Sequence, residues 1–146
     1  MIDFWKSVYQ KKGLPIANFK PEQESQEYFA NNVIFNGKNA KFRVAKTTPK
    51  KIGQFVTLWK RKNKGSIHPF DATDGIDFII VAVQNGKKLG HFIFPKEVLC
   101  DKGIFTDKKA GKRAIRVYPP WNSAQNTQAI KTQKWQLEYF TDFSDF

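Results

Sequence analysis

The stretch "IDFIIVAVQNGKKLGHFIFPK" (residues 76–96) holds two apolar runs, FIIVAV and LGHFIF, on either side of Asn85-Gly86. Asn-Gly between apolar runs marks a tight hairpin, because the central residues of such a turn need positive φ. Strands are therefore expected over about 77–83 and 89–94. Pro95 then opens a short helix, PKEVLCDKG, which Gly103 stops. This is the central hairpin of a sheet, with Asp77 at its entrance and Lys96 at its exit.

Upstream, "EYFANNVIFNGKNAKFRVAK" repeats the signal: Asn36-Gly37 turns strands of about 29–35 and 39–46. Before it, Phe4, Trp5, Val8 and Tyr9 fall at helical spacing over residues 3–12, with Gly13 as the stop. Lys20-Pro21-Glu22 predicts a second helix start, which would set Glu24 and Glu27 one turn apart. "TTPKKIGQFVTLWKR" fits a helix through Ile52, Phe55, Val56 and Trp59, but Gly53 and the β-rich GQFVTLW favour a strand. "RKNKGSIHPFDATDG" is a polar loop, "KRAIRVYPPW" a short strand ended by prolines, and "SAQNTQAIKTQKWQLEYF" a helix. The expectation is a single domain over residues 1–146, of mixed α/β class. Its core is a central mixed sheet of about five to six strands flanked by helices.

Composition bounds the function. No apolar stretch approaches the ~18–20 residues of a membrane helix, and MIDFWKSVYQKK lacks the basic start and apolar segment of a signal peptide. A cytoplasmic location is the resulting expectation. The single Cys100 excludes an internal disulfide and a cysteine-rich zinc site. The net charge of +12 is unevenly placed. Between Glu27 and Asp71 there is no acid, while Lys38, Lys41, Arg43, Lys46, Lys50, Lys51, Lys60, Arg61, Lys62 and Lys64 all fall there. A second group, Lys108, Lys109, Lys112, Arg113 and Arg116, follows. Such asymmetry attracts polyanions, because each neutralised phosphate releases condensed counterions. A solvated lysine-rich surface is the bland alternative.

The strings "KFRVAKTTPKKIGQFVTLWKR", "HPFD", "DFIIVAV", "GHFIFPKEVL", "GKRAIRVYPPW" and "TQKWQLEYF" occur in this order along nearly the whole chain. Together they resemble the MepB family, small bacterial proteins named for an operon neighbour of a multidrug efflux pump. The resemblance implies a restriction-endonuclease-like α/β fold, a scaffold shared by nucleases and inactive relatives. Fold alone does not fix function.

Nucleases on that scaffold need an acid at a strand start, an acid-x-Lys triplet on the next strand, and often a helix Glu. Two carboxylates hold Mg²⁺ and the lysine positions water or offsets developing charge. Mapped onto this chain, Asp77 is the first acid, Lys96 the lysine, and Glu27 or Glu24 the helix acid. The triplet fails, since Phe94 stands two residues before Lys96. Val44-Ala45-Lys46 fails in the same way, and only Asp71 or Asp74 from the loop would supply a replacement. No metal and no cofactor are therefore expected, with Mg²⁺ on Asp77 and Glu27 only if a rearranged nuclease site forms. His68 and His91 are the only histidines, and His91 sits in an apolar strand where a structural role is usual. Cys100 lies on the apolar side of its short helix. GxSxG, phosphate-binding glycine loops and HExxH are absent.

A binding set is better populated. Strand register lets Lys41 share a face with Arg43, Lys46 ends that strand, and Lys50 and Lys51 sit where the chain turns. Arg113 and Arg116 precede Tyr118 and Trp121, and Gln125, Asn126 and Gln128 follow at a helix start. Basic groups position a nucleic-acid backbone, aromatics stack on bases, and amides read base edges. Packing around Pro119-Pro120 competes with stacking for Tyr118 and Trp121. The leading expectation is a nucleic-acid or other polyanion partner bound through Lys41, Arg43, Lys46, Lys50, Lys51, Arg113, Arg116, Trp121 and Gln125. The alternatives are a metal-dependent nuclease and a protein-interaction or small-ligand accessory protein linked to efflux.

Overall fold

The computed structural model describes residues 2–145. It opens with α1 (Ile2–Lys12), then β1 (Ile16–Pro21), a 3₁₀ turn (Gln26–Tyr28), β2 (Asn31–Phe35) and β3 (Lys38–Val44). Four short strands follow: β4 (Lys46–Thr47), β5 (Gln54–Thr57), β6 (Trp59–Arg61) and β7 (Ile67–Pro69). The opening hairpin supplies β8 (Phe78–Asn85) and β9 (Lys88–Pro95), leading into α2 (Lys96–Asp101). Last come β10 (Ala114–Val117), α3 (Thr127–Gln136), a 3₁₀ turn and β11 (Phe140–Asp142).

Six strands form the main sheet in the order β1-β2-β3-β8-β9-β11. The β3–β8 pair alone is parallel, with Ala40 opposite Phe78 and Val44 opposite Ala82. Between those two strands the chain forms β4, β5 and the hairpin β6–β7; β4 and β5 make a three-stranded sheet, β10-β5-β4, with β10 returning after α2. Alternation along β8 sends Ile79, Val81 and Val83 to one face and Ile80 and Ala82 to the other. On one side Trp5, Val8 and Tyr9 of α1 cover Phe42, Val44 and Ile80. On the other, Val56, Leu58, Leu99, Ile115 and Val117 pack over Phe92 and Phe94. Coverage on both faces explains why β8 reads as a near-continuous apolar run.

Several expectations needed correction. Pro21 ends edge strand β1, where a missing N–H is tolerated, so no helix starts there. Glu27 sits in the 3₁₀ turn Gln26–Tyr28 instead. Asn36 and Gly37, at φ 50° and 76°, make the first tight turn. In the second hairpin Asn85 still pairs with Lys88, leaving Gly86-Lys87 as the loop with Gly86 at φ 62°. The "loop" after Trp59 contains β6 and β7, whose turn carries Asn63 and Lys64 at φ 48° and 63°. The C-terminal helix stops at Gln136, and β11 joins the sheet beside β9. Gly90 permits that docking, because a Cβ there would lie 2.4 Å from both the Phe140 ring and the Thr141 carbonyl oxygen.

His91 is a core residue. It is 2% exposed, its Nδ1 lies 3.0 Å from the Tyr9 hydroxyl, and Phe143 packs edge-on at 4.7 Å. Burial pulls its pKa down from 6.5 to about 3. Below pH 6.5 the unfolded chain therefore binds a proton that the folded chain refuses, so stability falls as pH drops and the loss levels off near pH 3. His91→Phe is expected to lessen the loss of the urea midpoint between pH 6.5 and pH 4, measured against the parent protein; superimposable profiles would contradict this.

Candidate nucleic-acid interface

The outer face of the small sheet aligns Lys46, Phe55 and Arg116 across three strands, since Phe55 pairs with both basic residues. At ~4.8 Å per strand, the two basic positions lie roughly 10 Å apart. Arg116 is fixed from several directions. Its Nη2 donates to Thr48 Oγ1 at 2.8 Å, its Nη1 donates to the Ile52 carbonyl at 3.4 Å, and its guanidinium sits over the Phe55 ring at 5.7 Å. Gln136, itself 1% exposed, pins β10 to α3 by accepting from Tyr118 N and donating to the Arg116 carbonyl.

Between β10, α3 and the Lys50–Ile52 turn lies a cleft of about 620 Å³. Lys50, Lys51, Lys102, Lys112 and Arg116 line it, and none of its lining residues is acidic. Among the described residues none of these five cations forms an ion pair. The N-terminus of α3 opens here, capped by Asn126, whose Oδ1 accepts from Ala129 N at 2.8 Å. That helix end adds partial positive charge. Lys102 lies over the Trp135 ring at 5.5 Å, holding its ammonium toward the cleft wall. The arrangement is a positive potential with directed donors and no internal counter-charge, suited to phosphates.

Four of the nine predicted binding residues, Lys50, Lys51, Arg116 and Gln125, meet in this cleft. Lys46 stands on the same small sheet with its ammonium 5.4 Å from the Tyr28 ring centre. Arg113 is exposed, and its carbonyl accepts from Leu58 N. Trp121 is not a free stacking platform. It packs on the core with its ring edge-on to Phe140 at 5.8 Å, and its Nε1 is buried without a partner. Arg43 is interior at 1% exposure rather than on the basic surface. Its Nη1 donates to Glu22 and its Nε to the Thr57 carbonyl at 3.2 Å. Burial lowers its pKa, and Glu22 opposes that shift. Lys41 shares its face as register predicts, reaching the same Glu22 at 3.2 Å. Lys102 is the cleft residue that sequence reading missed, and only the tertiary return of α2 brings it there.

The nuclease constellation separates. Asp77 and Lys96 are neighbours, with Lys96 N donating to the Asp77 carbonyl at 2.9 Å. The Asp77 carboxylate instead accepts from Asn39 N at 3.2 Å, tying the entries of β8 and β3 together. Glu27 precedes Asn31, which pairs with Phe42 toward the far end of β3, whereas Asp77 precedes Phe78, beside Ala40 at its near end. Phe94 is fully buried against Phe92 and Trp135, both at 5.4 Å. Asp71 is held by Thr73, whose backbone N–H and hydroxyl lower its pKa, and Asp74 pairs with Lys60 at 2.7 Å. Among the described residues no three His, Cys, Asp or Glu side chains converge. The side chains present do not fit a magnesium site, which calls for several oxygen ligands at one point.

Fold and cleft together define a mixed-sheet α+β protein with a basic cleft and, among the described residues, no assembled carboxylate site. A family model described as MepB-like matches residues 22–142. The solved structure "Crystal Structure of MepB" is 33% identical, with a TM-score of 0.86, over 96% of this chain and 94% of that chain. The chain belongs to the MepB-like family. Among curated proteins none matches. No helix among the described residues is long and apolar enough to cross a membrane.

Proposed function

We propose that this protein binds nucleic acid through the cleft between β10, α3 and the Lys50–Ile52 turn, contacting the phosphate backbone with little sequence selectivity. The observation that carries this reading is the set of five cations in a cleft whose lining includes no acid. A surface that merely keeps a protein soluble intersperses both signs. The accessory-protein alternative calls for an apolar pocket with dispersed lysines, and this cleft is neither. On this reading, Asp77 and Lys96 belong to a nuclease-like sheet whose metal-binding acids are missing, and binding proceeds without cleavage. Tyr118 packs on Gly53 and Trp135 on Phe94, so phosphate contacts outweigh base stacking.

Fluorescence-anisotropy titration of a labelled oligonucleotide over a salt series tests the proposal. Five phosphate contacts predict a slope of log affinity against log salt of about −4, and on the order of 10²-fold weakening between ~50 and ~200 mM salt. No binding at ~50 mM, or binding indifferent to salt, removes the reading.

A further inference from the structure

A second cavity, of about 600 Å³, lies beneath the β6–β7 hairpin and does not share a lining residue with the basic cleft. Its floor is Lys41, Arg43 and Glu22, set over the buried ring of Phe70. The side chains of these three charged residues are 19%, 1% and 16% exposed. Two cations thus share one carboxylate in a sheltered place. Sheltered charge without a counter-charge is costly, and an anion entering from solvent relieves that cost.

The rim separates paired from unpaired cations. Lys60 is neutralised by Asp74 and Arg61 by Glu24. Lys64 lines the cavity from the hairpin turn and has no ion-pair partner among the described residues. Two uncompensated positive charges therefore face one space. Trp59 forms part of its wall, with Arg61 over its ring at 5.5 Å. A bare anion leaves most of this volume and the indole surface unused. A phosphate joined to a planar ring uses both.

We infer that this cavity binds a nucleoside monophosphate, with the phosphate between Lys41, Arg43 and Lys64 and the base against Trp59. The same chemistry is offered by a free mononucleotide and by the 5′-phosphorylated end of a strand. The inference is independent of the basic cleft and stands if that cleft binds nothing.

Isothermal titration with AMP, CMP, adenosine and inorganic phosphate tests it. A monophosphate is expected to bind at least about tenfold more tightly than either the nucleoside or inorganic phosphate. Lys41→Met leaves Arg43 and Glu22 matched one to one, so the variant is expected to fold and to bind at least about tenfold more weakly. Lys64→Gln, at the exposed turn, gives a second reading of the same loss without touching the interior. Trp59→Ala is expected to abolish the advantage of AMP over inorganic phosphate. Neutralising Lys50, Lys51 and Lys112 leaves AMP binding unchanged, separating this site from the cleft. Competition by 5′-phosphorylated but not 5′-hydroxyl oligonucleotides assigns the site to strand ends, and no competition assigns it to free nucleotides. Equal affinity for AMP and inorganic phosphate, no binding of either, or unchanged affinity in both lysine variants overturns the inference.

Discussion

Replacing Lys50, Lys51 and Lys112 together by glutamine is expected to lower oligonucleotide affinity on the order of 10²-fold near ~100 mM salt. The figure follows from counterion release: three lost phosphate contacts remove about two to three units from the salt slope. These lysines line the cleft and lie outside the ion pairs seen among the described residues, so their loss leaves the fold's internal contacts in place. Neutralising Lys38, Lys87 and Lys88, on the β2–β3 and β8–β9 turns away from the cleft lining, serves as the charge-matched control and is expected to change affinity only a few-fold. Equal losses in both variants would mean that net charge, rather than the cleft, governs binding.

The second large effect concerns stability. Glu22→Gln leaves Arg43 and Lys41 without their shared counter-charge, and Arg43 is too buried for water to compensate. Breaking a buried pair from one side costs about 3 kcal/mol or more, and partial exposure of Glu22 places this case near ~2–3 kcal/mol. For a chain of this length that corresponds to a fall of roughly 5–10 °C in Tm. Adding Lys41→Met is expected to recover part of the loss, because one uncompensated cation is removed. A Tm unchanged by Glu22→Gln would show that this charged network contributes little to the fold.

The four central strands of the main sheet, β2, β3, β8 and β9, were legible because their signals are local, whereas edge strands β1 and β11 were not. Alternation in β8 and β9 and Asn-Gly turn chemistry depend on residues a few positions apart. The helix expected at Lys20-Pro21-Glu22 failed because Pro is equally at home ending an edge strand, and pairing with β2 decided the matter. β11 starts at Phe140, the last residue of the expected helix, and its formation depends on room left by a distant residue, Gly90.

Site residues divide along the same line. Lys50, Lys51, Arg116 and Gln125 could be grouped because they flank recognisable strand and helix ends. Arg43 looked like its neighbour Lys41, since register places both on one face. Which member of that face lies under β5 is a tertiary fact, expressed here in the hydrogen bond from Arg43 Nε to the Thr57 carbonyl. Trp121 likewise has the chemistry of a stacking platform and the position of a core residue. Asp77 and Lys96 adjoin through their backbones, but the carboxylate caps a strand entry and Glu27 stands at the sheet's other end.

Amide chemical-shift mapping during titration with an oligonucleotide tests the central claim most directly. The account predicts that perturbations concentrate at residues 50–53, 112–118 and 125–132, with the α1 face unaffected. Shifts centred on α1 or on the β8–β9 turn, or no shifts at low salt, would contradict it.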